Sequence, residues 1–285
     1  MVRAGWTFNI NPRFMDAQVI WVIGVSKVFM LIAIYLPFRL LALLSGIMII
    51  GHNAFDTISA ENLGAYRWLW VVLHEQAMLT PWENMQLYVS YPLIPWPAVM
   101  SLGYCFGGYF LQPKSSRIRY YLIFGITSIA LFTALRFSNY YGDPMSWIDQ
   151  GTTVTKILSF INCEKYPPSL LYLLMTLGLA SLLLVFMENS QGKLSRLLLV
   201  FGRVPLLFYI IHIPLIHLFA VTVAAVRGEN LAWLFKDPFF SKPVDYGYSL
   251  GIVYLVWIVV IACLYPVCRK YGQLKQKHKG LFRYL

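Results

Sequence analysis

The segment FGRVPLLFYIIHIPLIHLFAV, residues 201–221, is almost wholly apolar, yet it carries Arg203, His212 and His217. Ionisable side chains in such a run are costly, so a cavity, a partner or a reaction has to account for them. A histidine is suited to taking a proton or to acting as a nucleophile near neutral pH. His212 and His217 are five positions apart, about 140° of rotation on a helix, so their rings share no face unless Pro214 bends the segment. Each is a candidate catalytic group, and each has the alternative of a satisfied interhelical hydrogen bond. Arg203 has two readings, a cation for a phosphate or carboxylate, or a side chain snorkelling to the headgroups.

A second constellation lies earlier. His52 and Asp56 are four apart and would stack on a continuing helix, giving an imidazole oriented by a carboxylate. The alternative is a polar helix end with Asn53 as its cap. His74 and Glu75 are adjacent, about 100° apart on a helix. Asp143, in NYYGDP, is a turn residue by its type. Lys165, in NCEKYPPSLL, is an interfacial charge on its chemistry alone, with two prolines suited to a first helical turn. HExxH, GxSxG and phosphate-cradling glycine loops are absent from the sequence. The four cysteines form no CxxC or Cys/His spacing, so no metal is expected.

These residues sit in a chain of 285 residues that is 59% hydrophobic and 12% charged. A soluble domain carries about 25% charged residues. The mean hydropathy of +0.62 and 16% aromatic content point the same way: an all-α, polytopic membrane helix bundle. About seven spans are expected: Ala17–Leu36, Phe38–Gly51, Pro92–Leu111, Arg119–Phe137, Pro168–Met187, Leu197–Val226 and Tyr248–Cys268. The sixth is too long for one straight span, and Gly202 and Pro205 mark its true start. RWLWVVLHEQAM, residues 67–78, reads as a short interfacial helix anchored by Trp68 and Trp70. No internal boundary stands out, so residues 1–285 read as a single transmembrane domain.

Arg39, the cluster Lys114, Arg117 and Arg119, the pair Lys193 and Arg196, and the tail Arg269, Lys270, Lys275, Lys277, Lys279 and Arg283 all fall on one side of alternating spans. The positive-inside rule makes that side, and the C-terminus, cytoplasmic. The formal charge of +11 is therefore a topology signal facing anionic lipid, and nucleic acid is not an expected partner. The long loops 51–91 and 138–167, poor in Lys and Arg for their length, fall on the outer side. The sequence leaves self-association open.

In order along the chain, GHNAFD, WLWVVLHE, YPLIPWPAVMSLGYCFG, NYYGDP, KYPPSLLYLLMTLG and FGRVPLLFYIIHIPLIHLF resemble a bacterial multi-span family of unknown function. That family is similar to the catalytic domain of heparan-alpha-glucosaminide N-acetyltransferase and, more distantly, to membrane acyltransferases that modify sugars. The resemblance implies a bacterial inner-membrane enzyme that moves an acetyl group from cytoplasmic acetyl-CoA to an outward-facing amino sugar or glycan. It also implies three further spans ahead of this sequence, making residues 1–285 the C-terminal part of a domain of about ten spans.

Such a reaction needs cations for the phosphates of the donor, a dry passage, and a base at the outer mouth. Arg203, Arg117, Arg119, Lys193 and Arg196 are the candidates for the first, with plain topology charges as the alternative. His212, His217, His52 and Asp56 are the catalytic candidates. His74, Glu75, Asp143 and Lys165 are candidates for holding the acceptor. Two other readings stay open: a small-solute transporter, whose mark is matching inverted halves, and an inactive truncated remnant.

Overall fold

The structure is a computed structural model that describes residues 5, 7–9, 11, 13–236 and 241–277. It is mostly helical, and the chain divides into two compact units, Arg13–Asn189 and Met1–Pro12 with Ser190–Leu285.

In the Arg13–Asn189 unit the helices are α1 (Val19–Ala33), α2 (Phe38–Gly51), α3 (Arg67–Leu73), α4 (Trp96–Gly107), α5 (Lys114–Ser138), α6 (Thr153–Ile161) and α7 (Leu170–Met187). α2 runs on as a 3₁₀ turn over His52–Phe55. The tightest pairing is α5 against α7, and glycine permits it. A Cβ on Gly125 would lie 2.7 Å from the Leu182 side chain, and one on Gly178 would lie 2.8 Å from Ser128 Cβ. Small residues let two apolar helices approach closely where no hydrophobic effect drives them together. Ser181 adds a hydrogen bond across the same seam, its Oγ donating to the Tyr121 carbonyl at 2.9 Å. A core of Ile49, Ala98, Leu170 and Leu173 joins α2, α4 and α7.

The all-α expectation needs one amendment. Strands β1 (Phe14–Asp16), β2 (Met78–Trp82) and β3 (Met85–Tyr88) form a three-stranded sheet in the order β1-β3-β2. β2 and β3 are an antiparallel hairpin, while β1 joins β3 in parallel from far away in sequence. The two-residue turn Glu83–Asn84 places Asn84 at φ 64°, a conformation asparagine tolerates. The register slips between Leu79 and Trp82, around Pro81, which has no N–H to give to the ladder.

The Ser190–Leu285 unit contains α8 (Lys193–Gly202), α9 (Pro205–Val226) and α10 (Leu250–Lys277). Val204, Val260, Leu264 and Cys268 form its core. The break between α8 and α9 falls at Arg203–Val204, as Gly202 and Pro205 indicate.

Among the described residues five helices are long and apolar enough to cross a membrane: Phe38–Phe55, Lys114–Ser138, Leu170–Met187, Pro205–Val226 and Leu250–Lys277. At 1.5 Å per residue the 18-residue helices reach about 27 Å, close to the hydrocarbon thickness of a bilayer. Their uncovered faces are hydrocarbon, as at Leu43 (59% exposed) and Phe186 (81% exposed). Such surface is stable only against lipid, so the chain is an integral membrane protein. The first and third expected spans are shorter. α1 has 15 residues and α4 has 12, about 22 Å and 18 Å long. The chain before α4 makes a turn over Leu93–Trp96, the Trp96 N–H donating to the Leu93 carbonyl at 2.8 Å, and α4 passes into a 3₁₀ turn at Gly108. Of residues 67–78, expected as one short helix, 67–73 are helical, as α3, and Met78 opens β2. Trp68 is exposed, while Trp70 Nε1 donates to the Ile58 carbonyl at 2.8 Å.

Candidate functional site

In the Arg13–Asn189 unit the ends of α2, α3, α5 and α7 bring together a polar network in which His52, Asn53 and His74 are buried while the Asp56 side chain stays 21% exposed. His52 follows the last α-helical turn of α2 and is 1% exposed. Both of its ring nitrogens face carbonyl oxygens, Nδ1 toward Ile49 at 2.8 Å and Nε2 toward Pro168 at 2.9 Å. A neutral imidazole has one N–H, so it donates to one of these two carbonyls, and with both nitrogens covered His52 has none left for a substrate.

Asp56 does not take His52 as its partner. The chain tightens into a 3₁₀ turn after Gly51, so the four-residue stacking of a continuing α-helix is lost. Asp56 Oδ1 instead lies 2.9 Å from His74 Nε2, and its Oδ2 accepts from Asn53 Nδ2 at 2.7 Å. Asn53 Oδ1 accepts from the backbone N–H of Leu170 at 2.8 Å, in the first turn of α7. Since a carboxylate only accepts, His74 carries a proton on Nε2, and in the neutral ring Nδ1 holds the lone pair. Nδ1 is buried and has no hydrogen-bond partner among the described residues. The His74 ring is packed by Trp70, with centroids 5.2 Å apart, by His52 at 6.2 Å and by Phe55 at 6.4 Å. An imidazole held by a carboxylate on one nitrogen and bare on the other is the arrangement of a general base. Glu75 points elsewhere and accepts the Ala60 N–H at 2.6 Å.

A second buried group anchors the loops beneath this dyad. Asp143 and Arg136 are each 2% exposed at their side chains, with Nη1 and Oδ1 3.6 Å apart. Asp143 accepts from the Met145 and Glu164 N–H groups at 2.9 Å each and from Ser169 Oγ at 2.7 Å. Arg136 donates to the carbonyls of Phe160, Met145, Ser159 and Asn162 at 2.7–3.0 Å. A guanidinium with five donors in a fixed fork can satisfy four carbonyls at once, which an ammonium cannot. Asp143 thus holds α7's N-terminus in place and has little capacity left for an acceptor. Arg136 and Asn53 are the residues that carry this site without having been singled out as candidates. Arg136 had a signal, a lone cation near the end of an apolar run.

Lys165 sits at the edge of the same region, its Nζ 5.0 Å from the centre of the Tyr166 ring. The Tyr166 hydroxyl raises the Lys165 ammonium above its ordinary pKa. Burial alone would raise the Tyr166 phenol, but the Tyr91 hydroxyl, 3.2 Å away, and Lys165 bring it below its usual value. Cys163, in the loop before α7, is pushed up to about 11 by burial.

The remaining candidates lie on other elements. Arg117 is taken by Glu188 and by the Phe110 carbonyl, and Arg119 is exposed. In the other unit, His212 Nδ1 bonds the Phe208 carbonyl at 3.0 Å, with the two rings stacked 5.2 Å apart. His217 is 5% exposed, its Nε2 has no partner among the described residues, and Phe8 meets its ring edge-on at 4.6 Å. Arg203, Lys193 and Arg196 line one groove in that unit. Lys279 and Arg283 of the basic tail lie outside the described residues. Among the described residues no three His, Cys, Asp or Glu side chains gather closely enough to hold a metal. No family model, no curated protein and no solved structure matches this chain.

Proposed function

We propose that the chain is a multi-span membrane acyltransferase, moving an acetyl group from acetyl-CoA to the amine or hydroxyl of an outward-facing amino sugar or glycan. One observation carries the reading: the His74–Asp56 dyad, with a bare Nδ1 in an apolar surround. In the reaction the acceptor nitrogen or oxygen bonds to the acetyl carbon. The carbon–sulfur bond breaks, and its electron pair leaves on the CoA sulfur. His74 Nδ1 takes the proton released by the acceptor, and Asp56 stabilises the imidazolium that forms. His74 then returns the proton, so the products are the acetylated acceptor and the free thiol of CoA. The quoted family motifs supply the choice of donor and acceptor. Within the unit that holds the dyad, Arg119 is the cation available to the phosphates of the donor, while Arg117 is already engaged; Lys193, Arg196 and Arg203, the other candidates for that role, stand in the Ser190–Leu285 unit. His52, Asp143 and Glu75 hold the site together, and Lys165 with Tyr166 lies at its rim.

The test is transfer of labelled acetyl from acetyl-CoA to glucosamine by proteoliposomes. General-base catalysis contributes about 10²- to 10⁴-fold, so His74→Ala should lose at least about 100-fold while still inserting. Wild-type transfer by inserted His74→Ala overturns the assignment. His212→Ala and His217→Ala in the same assay rank the membrane-embedded histidines against it.

A further inference from the structure

Four cations of the Ser190–Leu285 unit converge where its helices leave the apolar layer. Lys193 and Arg196 stand on α8, Arg203 in the link to α9 and Arg269 on α10. They line a groove of about 510 Å³ whose wall also includes Leu197 and Tyr265. No carboxylate lines it. None of the four cations is paired with a carboxylate among the described residues, whereas Arg117, Arg136, Lys156 and Arg227 each are. Like charges collected in one concavity repel, and a bound anion relieves that repulsion. The guanidinium forks of Arg196, Arg203 and Arg269 match the geometry of a phosphate.

The groove's level is set by its neighbours. Arg203 lies two residues before Pro205 opens the α9 span, and Arg269 directly follows the buried Cys268 of α10. Leu194 (70% exposed) and Leu198 (45% exposed) on α8 present hydrocarbon beside it. A basic hollow flanked by apolar side chains at the end of two spans lies at headgroup depth.

We infer that this groove is a phosphate-binding site. The same chemistry is offered by the headgroup of an anionic phospholipid and by the phosphates of a soluble nucleotide, and the headgroup depth favours the lipid. The inference shares Lys193, Arg196 and Arg203 with the acyl-transfer reading but stands without it.

The test uses the full chain in phosphatidylcholine nanodiscs. Phosphatidylglycerol is added and its binding read by native mass spectrometry, and CoA is titrated by calorimetry. A juxtamembrane cation strengthens anionic lipid binding about fivefold, so Arg203→Gln with Arg269→Gln should weaken it about 25-fold. Lys270→Gln with Lys275→Gln removes the same charge outside the groove and should have far less effect. Arg203→Lys with Arg269→Lys preserves the charge if the glutamine pair fails to fold. Phosphatidylglycerol binding that CoA does not displace assigns the groove to lipid, and CoA binding that competes with it assigns the groove to the donor. Binding of neither probe, or equal losses in the groove and control pairs, overturns the inference. Retained phosphate binding with no acetyl transfer counts against the acyl-transfer reading alone.

Discussion

Replacing Asp56 with asparagine should disable the dyad by changing where one proton sits. Both oxygens of Asp56 accept, Oδ1 from His74 Nε2 and Oδ2 from Asn53 Nδ2. Asparagine has only one oxygen to offer. Asn53 cannot flip to help, because its own Oδ1 is held by the Leu170 N–H. The single oxygen of the new residue must therefore face Asn53, and its NH₂ must face His74. His74 Nε2 then becomes the acceptor and the proton moves to Nδ1. The base is lost without removing any ring or carbon atom. The expected loss is that of general-base catalysis, about 10²- to 10⁴-fold in turnover, or about 3–5 kcal/mol of barrier. The assay is acetyl transfer in proteoliposomes, run beside a thermal melt of the same preparation. The melt should move little, since every hydrogen bond of the network is kept with one pair reversed. Wild-type turnover in Asp56→Asn, with His74 reporting its proton on Nδ1 by nitrogen NMR, would refute the role given to the dyad.

The other outcomes follow from packing and burial. Arg136→Met leaves four carbonyls without their donor and Asp143 without its cation; breaking a buried pair from one side costs about 3–5 kcal/mol, and a detergent-phase melt within about 1 kcal/mol of wild type would contradict the buried pairing. Gly178→Ala puts a Cβ 2.8 Å from Ser128 Cβ, an atom that no rotamer change moves, whereas Gly46 has nothing within 4 Å of an added Cβ. The Gly178 change should cost about 1–3 kcal/mol and the Gly46→Ala change almost nothing, by the same melt. Cys163, pushed up to about 11 from the ordinary 9.0, should react with iodoacetamide at pH 8 about 100-fold more slowly than an unperturbed thiol, because the thiolate is the nucleophile; mass-spectrometric labelling at the usual rate would show that the loop opens.

The elements that were legible are those governed by local pattern. The apolar runs at 38–51, 119–137, 168–187 and 248–268 each lie in a helix to within two residues, because the length of a hydrocarbon run is enough to define a span. Gly202 and Pro205 divided α8 from α9 for reasons contained in those residues. α1 and α4 came out shorter than their apolar runs, since Pro37, Pro92 and Pro95 and the Gly107–Gly108 pair limit how far a helix extends. The sheet was hidden because β1 and β3 pair across some seventy residues, and neither strand is long enough to show alternation on its own.

The candidate site divides in the same way. Composition by itself determined that this chain belongs in a membrane, and residue type and spacing marked His52, Asp56, His74 and Asp143 as candidates in its outer loops. Which partners they take was a tertiary matter. The spacing of His52 and Asp56 suggested a pair, but the turn after Gly51 gave Asp56 to His74, 18 residues on, and Asn53 to Leu170, 117 residues on. A hydrogen bond forms over about 3 Å, and only the packing of α2, α3, α5 and α7 brings residues so distant in sequence within that reach.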